Sequence, residues 1–329
     1  MANEQFANLD EKYKPTTIHD IVGQPNIQRK LMNWVSTGRV PHQMYVGPPG
    51  VGKTSTAVAL AKDLWGANWR FNLHQYNASD TRGIDFIRGE IQSIVQTVPV
   101  GAPYQIVFLD EADYLTAEAQ TALREIMQRH TDKTKFILSC NYPHKIITPI
   151  KDRCAIMRFG MLPENIIAKR LNEICIAEGI GHEVGTLELI ASHANGSLRK
   201  AIQFIDQYRD ASNNITTSQV KEDMQILDAH DIKQLLKSAF VGDVEAYEMQ
   251  LFKLYYDGGF QASELLSEIL TEINQCKFDQ IIKQALIIQT AKYDWRISQG
   301  SNELLQMRCY LATLKNIVNG TNVASGYID

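Results

Sequence analysis

The sequence predicts an α/β core, with a parallel sheet covered by helices on both faces, followed by a second half built only from helices. Two observations support this prediction. In the first half, short apolar or β-rich runs alternate with helical stretches, which is typical of parallel strands joined by helices. After Pro163 the strand-like runs stop, and nine successive stretches have the apolar spacing of amphipathic helices.

Five short runs in the first half are predicted to be strands, and the stretches that carry apolar residues on one face are predicted to be helices. The predicted strands are residues 43–46, 72–76, 106–109, 136–139 and 155–159, with helices at 53–64 and 117–129. The predicted helices of the second half are residues 164–178, 185–193, 198–209, 218–226, 231–239, 243–256, 261–275, 278–298 and 301–318.

Composition excludes several classes of protein. The 329 residues include 33 Lys and Arg against 37 Asp and Glu, a formal charge of −4, and 44% are hydrophobic. These values exclude a disordered or collagen-like chain and a basic protein that coats nucleic acid. Five scattered cysteines without a CxxC pair indicate free thiols in a reducing compartment. Because no stretch is apolar enough to span a membrane, we expect an intracellular, soluble protein without a membrane partner.

Residues 47–54 (GPPGVGKT) match the phosphate-binding pattern GxxxxGK[ST], between a predicted strand and a predicted helix. The glycines let the backbone curl so that its N–H groups face phosphate oxygens. We expect Lys53 to bind the β- and γ-phosphates of ATP and the Thr54 hydroxyl to hold Mg²⁺. The nucleotide-binding residues expected from this segment are Gly47, Pro48, Pro49, Gly50, Val51, Gly52, Lys53, Thr54 and Ser55.

A second motif, residues 106–113 (IVFLDEAD), begins with four apolar residues that predict a buried strand. This strand would deliver Asp110 and Glu111 at its carboxyl end, where parallel sheets bind their ligands. We expect Asp110 to coordinate Mg²⁺, directly or through water, and Glu111 to polarise the water that attacks the γ-phosphate. Together with the phosphate loop, this motif predicts ATP hydrolysis.

Further motifs occur in a fixed order along the chain. They are residues 9–15 (LDEKYKP), 21–24 (IVGQ), 76–80 (YNASD), 82–85 (RGID), 110–113 (DEAD), 119–124 (AQTALR), 140–142 (CNY), 145–150 (KIITPI), 153–154 (RC) and 196–202 (GSLRKAI). Together they resemble the replication factor C small-subunit family of clamp loaders, which are AAA+ ATPases. The match covers residues 9–206, and residues 300–306 agree with the family's collar domain. Lys14 and Asp152 stand where the family usually has Arg and Ser.

The resemblance implies a fold of three domains. These are an AAA+ nucleotide-binding α/β domain at residues 1–162, a small helical lid at 163–228 and a helical collar for oligomerisation at 229–329. It also implies a pentameric ring of clamp-loader subunits, with a distinct large subunit among them. Such a ring uses ATP binding and hydrolysis to open a sliding clamp and load it onto primer–template DNA during DNA replication, with ATP between neighbouring subunits.

The resemblance also implies roles for single residues. Asn141 would be the sensor beside the γ-phosphate, Arg199 the second sensor in the lid, and Arg153 the arginine finger that reaches the neighbour's ATP. The residues expected to border the adenine are Tyr13, Lys14 and Val22. The residues by themselves leave simpler roles open, since Asn141 could cap a turn and Arg153 could pair with Asp152.

For DNA, the resemblance implies contacts from a region at the start of a helix, with phosphates rather than with bases. The residues concerned are Thr81, Arg82, Ile84 and Arg88. An alternative is an ion pair between Asp85 and Arg88 on a solvated face. Residues 91–99 are the region that the family presents to the clamp, although ordinary helix packing would explain their pattern equally well.

Two other functions remain open at this point. A different AAA+ DNA motor, helicase-like or for branch migration, would need a winged-helix tail that binds DNA, whereas residues 230–329 are predicted to be helical with few basic clusters. A non-catalytic scaffold subunit of a loader ring should have lost part of its catalytic set. Lys53, Asp110, Glu111 and Arg153 are all present.

Overall fold

The computed structural model describes residues 8–209, 214–224, 226–227 and 229–319. The chain divides into two compact units, of which the first ends at Thr217 and the second begins at Ser218. The finer division of the first unit at residue 162, and a domain boundary at residue 228, remain predictions.

The first unit is built on a sheet of five strands in the order β2-β3-β4-β1-β5, and every neighbouring pair is parallel. The strands are β1 (Gln43–Val46), β2 (Leu73–Asn77), β3 (Gln105–Asp110), β4 (Thr134–Cys140) and β5 (Ala155–Arg158). Because all neighbouring strands are parallel, the loops that follow β1, β3 and β4 leave the sheet at the same edge, which is where ligands of such sheets bind.

Helices connect these strands and continue beyond the sheet. They are α1 (Leu9–Lys12), α2 (Pro25–Thr37), α3 (Lys53–Trp65), α4 (Trp69–Asn72), α5 (Ile84–Phe86), α6 (Gln92–Gln96), α7 (Ala117–Arg129), α8 (Thr148–Lys151), α9 (Glu164–Glu178), α10 (Thr186–His193), α11 (Leu198–Asp206) and α12 (Thr217–Asp223). Short 3₁₀ turns occupy Ile18–Asp20, Gly66–Asn68, Ala112–Tyr114 and Pro143–Lys145, and a π-helical turn, Ile87–Ile91, joins α5 to α6.

The sheet is covered by apolar layers on both faces. Successive residues of a strand point to opposite faces, and in β3 they belong to different clusters. Val107 and Leu109 pack in the cluster that contains α7, whereas Ile106 and Phe108 pack in the cluster that contains α2 and α3. All four side chains are buried. The strand is therefore apolar throughout, as expected of a strand that lies between two helical layers.

The structure confirms the predicted fold class. Helices α7 and α9 have the predicted bounds, and the strands differ from the prediction by at most two residues at either end. The largest difference is in β4, which begins two residues early because Thr134 and Lys135 pair with β3. After Pro163 the described residues contain no strand, only an isolated bridge between His182 and Ile215.

The second unit is helical and has its own core. It includes α12 from Ser218 onward, and its other helices are α13 (Ala229–Val241), α14 (Val244–Phe252), α15 (Ala262–Gln275), α16 (Gln280–Ser298) and α17 (Glu303–Val318), with a π-helical turn at Lys253–Asp257. Within this core the hydroxyl groups of Thr290 and Tyr310 share a hydrogen bond of 2.8 Å, so both buried polar groups have a partner. Of the helices in the described ranges, none is long and apolar enough to cross a membrane.

His42 is a buried titratable group that connects three strands. Its Nδ1 accepts a hydrogen bond of 3.0 Å from the Phe136 N–H of β4, and its carbonyl accepts one of 2.8 Å from the Ala155 N–H of β5. Burial, assisted by the nearby charge of Lys135, lowers the pKa of His42 from 6.5 to about 4. The imidazole is therefore neutral in the folded chain at neutral pH.

We expect the first unit to lose stability as the pH falls from about 6.5 to about 4, because His42 binds a proton in that range only when the chain is unfolded. The loss is on the order of 3 kcal/mol. Urea unfolding at a series of pH values measures it. His42→Gln, which does not titrate, should lose less stability over this range than the wild type or the exposed-site variant His19→Gln. An equal loss in all three would show that His42 is not the group responsible.

Candidate nucleotide-binding site

The phosphate loop joins β1 to α3 and turns at glycines that no other residue could replace without strain. Gly50 and Gly52 have φ angles of +79° and +94°, in the left-handed region. Gly47 and Gly50 also have no room for a side chain. A Cβ on Gly47 would lie 2.3 Å from the carbonyl oxygen of Phe159, and a Cβ on Gly50 would lie 2.0 Å from Ser197 Oγ. The loop therefore passes closely between the end of β5 and the start of α11.

Lys53, the first residue of α3, holds its ammonium group inside the loop and is only 8% exposed. Its Nζ donates to the carbonyl oxygens of Gly47 and Pro48, at 2.6 and 2.8 Å, and to Asn141 Oδ1 at 2.9 Å. Burial lowers the pKa of Lys53, and the negative charge of Asp110 opposes this effect. The loop thus surrounds a cation with oxygen atoms, which is the environment that phosphate oxygens would also provide.

Thr54 and Asp110 meet beside this cation. The Thr54 hydroxyl donates to Asp110 Oδ2 at 2.6 Å, and the Glu111 N–H donates to Asp110 Oδ1 at 3.0 Å. Glu111 has a φ of +53°, which is uncommon for a residue with a side chain and often marks a functional site. A hydroxyl and a carboxylate are the hard oxygen ligands that Mg²⁺ takes together with phosphate oxygens. The residues present therefore fit a magnesium ion.

Asp113 connects the ends of β3 and β4, a role that the sequence analysis did not assign. Its buried carboxylate accepts hydrogen bonds from the N–H groups of Asn141, at 3.4 Å, and Tyr142, at 3.2 Å. The sequence does contain a signal for this role, because Asp113 is a third acidic residue that follows Asp110 and Glu111 at the end of the predicted strand. Asn141 Oδ1 accepts a hydrogen bond from Lys53 Nζ, and the sensor role of Asn141 remains a prediction.

A cleft of about 660 Å³, counting the solvent at its mouth, opens beside the phosphate loop. Of the predicted nucleotide-binding residues, it is lined by Tyr13, Lys14, Val22, Gly50, Val51, Gly52, Ser55 and Arg199. Leu162, Leu198 and Ile202 add apolar surface that the sequence analysis did not predict. At the start of α11 the Arg199 N–H lies 3.5 Å from the Gly50 carbonyl oxygen, so this helix borders the loop directly.

Arg153 lies away from the phosphate loop and the residues around it. It precedes β5, whereas the phosphate loop follows β1, and the two strands are parallel neighbours. Its exposed guanidinium donates to the carbonyl oxygen of Pro149 at 2.8 Å and to Gln128 Oε1 at 3.4 Å. The described residues contain no ion pair between Arg153 and Asp152. The structure therefore does not bring Arg153 to the chain's own phosphate loop.

The residues predicted to contact DNA lie together after β2. Arg82 and Arg88 are exposed, Thr81 is half-buried, and Ile84 packs against the core. The Arg82 Nε donates to the Ser79 carbonyl oxygen at 2.9 Å, and its guanidinium lies over the Tyr114 ring, 5.9 Å from the ring centre. Across the part of the chain that the structure describes, Asp85 and Arg88 form no ion pair within 4 Å, so that alternative is not supported.

Three family models match successive parts of the chain. Residues 44–161 match the ATPase family associated with various cellular activities (AAA), residues 166–208 match the DNA polymerase III clamp loader subunit, ATPase lid domain, and residues 227–313 match the replication factor C C-terminal domain. Among solved structures, the Thermotoga maritima RuvB Holliday junction branch migration motor is similar, with a TM-score of 0.55 and 19% identity over 78% of this chain and 85% of that chain. This likeness shows the fold alone.

The fold, the phosphate loop and the strand-end carboxylates define an AAA ATPase. Curated relatives named replication factor C small subunit specify the family further. The one from Archaeoglobus fulgidus is 38% identical over 95% of this chain and 99% of its own length, and one from Methanococcus maripaludis is 40% identical over 92% and 97%. The chain belongs to the replication factor C small-subunit family and is a clamp-loader subunit with ATPase activity, as the sequence motifs predicted.

The close approach of Gly50 to α11 leads to a testable prediction. In Gly50→Ala the added methyl group would meet Ser197 Oγ while the backbone stays in the left-handed region. We expect the affinity for ATP to fall at least about tenfold, because either the Ser197 hydroxyl leaves the Lys200 N–H that it caps or the loop shifts away from α11. Equilibrium binding of a fluorescent ATP analogue measures this. Gly38→Ala, with a φ of +66° and nothing within 4 Å, should bind like the wild type. Similar losses in both variants would contradict the clash.

Proposed function

We propose that this chain uses ATP binding and hydrolysis to open a ring-shaped sliding clamp and load it onto primer–template DNA during DNA replication. One observation carries the proposal. In a chain of the replication factor C small-subunit family, Lys53, Thr54, Asp110 and Asn141 converge at the carboxyl edge of the sheet. These side chains are the cation, the metal-holding oxygens and the polar sensor that phosphoryl transfer needs in one place.

Each residue has a distinct task in hydrolysis. Lys53 exchanges its carbonyl contacts for the β- and γ-phosphate oxygens, which gain a direct charge-assisted hydrogen bond. Glu111 polarises the attacking water and takes up its proton, and Asn141, held through Asp113, orients the γ-phosphate. Thr54 and Asp110 would hold Mg²⁺, which would neutralise negative charge on the phosphates.

Arg153 acts on the ATP of a neighbouring subunit. β5 separates Arg153 from the edge that carries the phosphate loop, and its four residues span roughly 13 Å. An arginine side chain is much shorter than this, so Arg153 is too far from its own chain's ATP. A pentameric ring with a distinct large subunit, the assembly that the family implies, would bring this edge of one subunit to the nucleotide of the next. The active site is then complete only in the ring.

The DNA contacts proposed for this chain involve phosphates. The exposed guanidinium groups of Arg82 and Arg88, with Thr81 and the backbone at Ile84, form a small basic region on a chain whose overall charge is −4. Contacts of this kind track the backbone of DNA and carry little sequence information. For the clamp, Ile91 and Val95 are buried, and the exposed apolar side chain of the predicted stretch is that of Val98, near its end.

The finger role of Arg153 predicts a large effect on rate and a small one on binding. In rings assembled with primed DNA and a cognate clamp, Arg153→Ala should lower the steady-state ATPase rate by about 10³-fold or more, because it removes charge stabilisation from the transition state. ATP affinity should stay close to that of the wild type. Arg29→Ala, another exposed arginine, is the control. Stimulation by clamp and DNA that persists in Arg153→Ala would contradict the proposal.

The DNA contacts predict a change in salt dependence. Replacing Arg82 and Arg88 together by Ala should weaken binding to primed DNA and reduce the slope of log affinity against log salt by about two, one for each phosphate contact. Fluorescence anisotropy at several salt concentrations measures both quantities. An unchanged slope would show that these arginines do not contact phosphates. The surface variant Arg29→Ala should leave slope and affinity unaltered.

A further inference from the structure

Glu178 is a buried carboxylate whose three partners are not explained by the phosphate chemistry. It is the last residue of α9, and its side chain is only 7% exposed. Lys12 Nζ lies 2.5 Å from Oε1, the Tyr13 hydroxyl donates to the same oxygen, and an Arg209 nitrogen lies 3.5 Å from Oε2. We call these four residues the latch. A negative charge at the carboxyl end of a helix is locally unfavourable, so these partners account for its position.

The charges within the latch are well defined. Burial by itself would raise the pKa of Glu178, but the hydrogen bonds from Lys12 and Tyr13 outweigh it, and the pKa lies below its usual range. Burial, followed by the hydrogen bond to Glu178, raises the pKa of Tyr13 to about 12. At neutral pH Glu178 is therefore an anion and Tyr13 a neutral donor. Charge-assisted hydrogen bonds of this kind are among the strongest in proteins.

Other contacts also attach the N-terminal segment, residues 8–14, to helices α9 and α11. The Leu9 N–H donates to Asp206 Oδ2 at 3.1 Å, and Gln203 Nε2 donates to Asp10 Oδ2 at 3.2 Å. The Arg170 guanidinium lies over the Tyr13 ring, 5.9 Å from its centre. These contacts join residues that are more than 150 positions apart in the sequence. They connect the segment to the same two helices.

The N-terminal segment and helix α11 both line the nucleotide cleft. Tyr13 and Lys14 line it from the N-terminal segment, and Arg199 lines it from α11. We infer that Glu178 is a positioning residue for nucleotide binding, which holds the N-terminal segment on α9 through Lys12 and Tyr13 and on the turn that ends α11 through Arg209. Tyr13 and Lys14, which border the base, then move together with Arg199 as one body. This inference rests on the proposed function of the cleft as the ATP site.

The test compares two ligands on the purified full-length chain. Tripolyphosphate needs the phosphate loop, whereas ATP also needs the walls that receive its base and ribose. Glu178→Gln keeps the size of the side chain and an acceptor for Tyr13 but removes the ion pairs. We expect it to weaken ATP binding about tenfold, because Lys12 and Arg209 lose the charge of their partner, and tripolyphosphate binding by less than about twofold. Isothermal titration calorimetry measures both affinities.

Two further variants keep the result interpretable. Glu188→Gln, in α10, removes an exposed carboxylate and should change neither affinity. Lys12→Met removes only the outermost partner, and should weaken ATP binding about threefold, since exposed ion pairs contribute little. This variant provides the test if Glu178→Gln fails to fold. In the double variant the loss should not exceed that of Glu178→Gln alone, because both changes act through the same contact.

The outcomes separate the latch from the proposed function. If Glu178→Gln and Lys12→Met both bind ATP within about twofold of the wild type, or if ATP and tripolyphosphate weaken equally, the latch is refuted while the ATP site stands. If the wild type binds neither ligand and is indistinguishable from Lys53→Met, the proposed function fails together with the latch. A selective loss of ATP binding in Glu178→Gln supports the latch.

Discussion

The site depends on one electrostatic constraint, which is that the buried ammonium group of Lys53 must be surrounded by oxygen atoms. A cation removed from water is costly unless polar groups replace its hydration. Two loop carbonyls and Asn141 Oδ1 do so here. Asn141 is held in turn by Asp113, from the 3₁₀ turn that follows the neighbouring strand β3. The requirement of one charge thus fixes the phosphate loop, the end of β3 and the end of β4 relative to one another.

The polarity of the sheet explains why a single chain carries only part of the proposed catalytic machinery. All neighbouring strands are parallel, so the residues that follow β1, β3 and β4 share one edge, while Arg153 precedes β5 at the other. A parallel sheet has chemically different edges. An arginine at the amino edge would act on a nucleotide only if another subunit presented one there. The proposed finger role of Arg153 would thereby couple catalysis to assembly.

Contacts across the cleft add a second level of organisation. The phosphate loop approaches α11 so closely that Gly50 leaves no room for a side chain beside Ser197. The N-terminal segment packs on α9 and α11 through Glu178 and Asp206. The nucleotide would therefore contact three parts of the first unit that are far apart in sequence. Interactions among these parts, more than any single contact with a phosphate, would set how tightly the cleft closes around it.

The sequence by itself determined the sheet, the helices, the phosphate loop and the strand-end carboxylates. These features are local, because a strand, a turn and a helix occupy consecutive residues, and apolar periodicity identifies each helix. Arg199 and Asn141 were found only through family resemblance, and Asp113 and Glu178 were not assigned any role. The tertiary structure alone decided that Lys53 meets Asn141, 88 residues away, and that Tyr13 meets Glu178, 165 residues away. No local pattern specifies such contacts, because they form only after the strands have paired and the helices have packed.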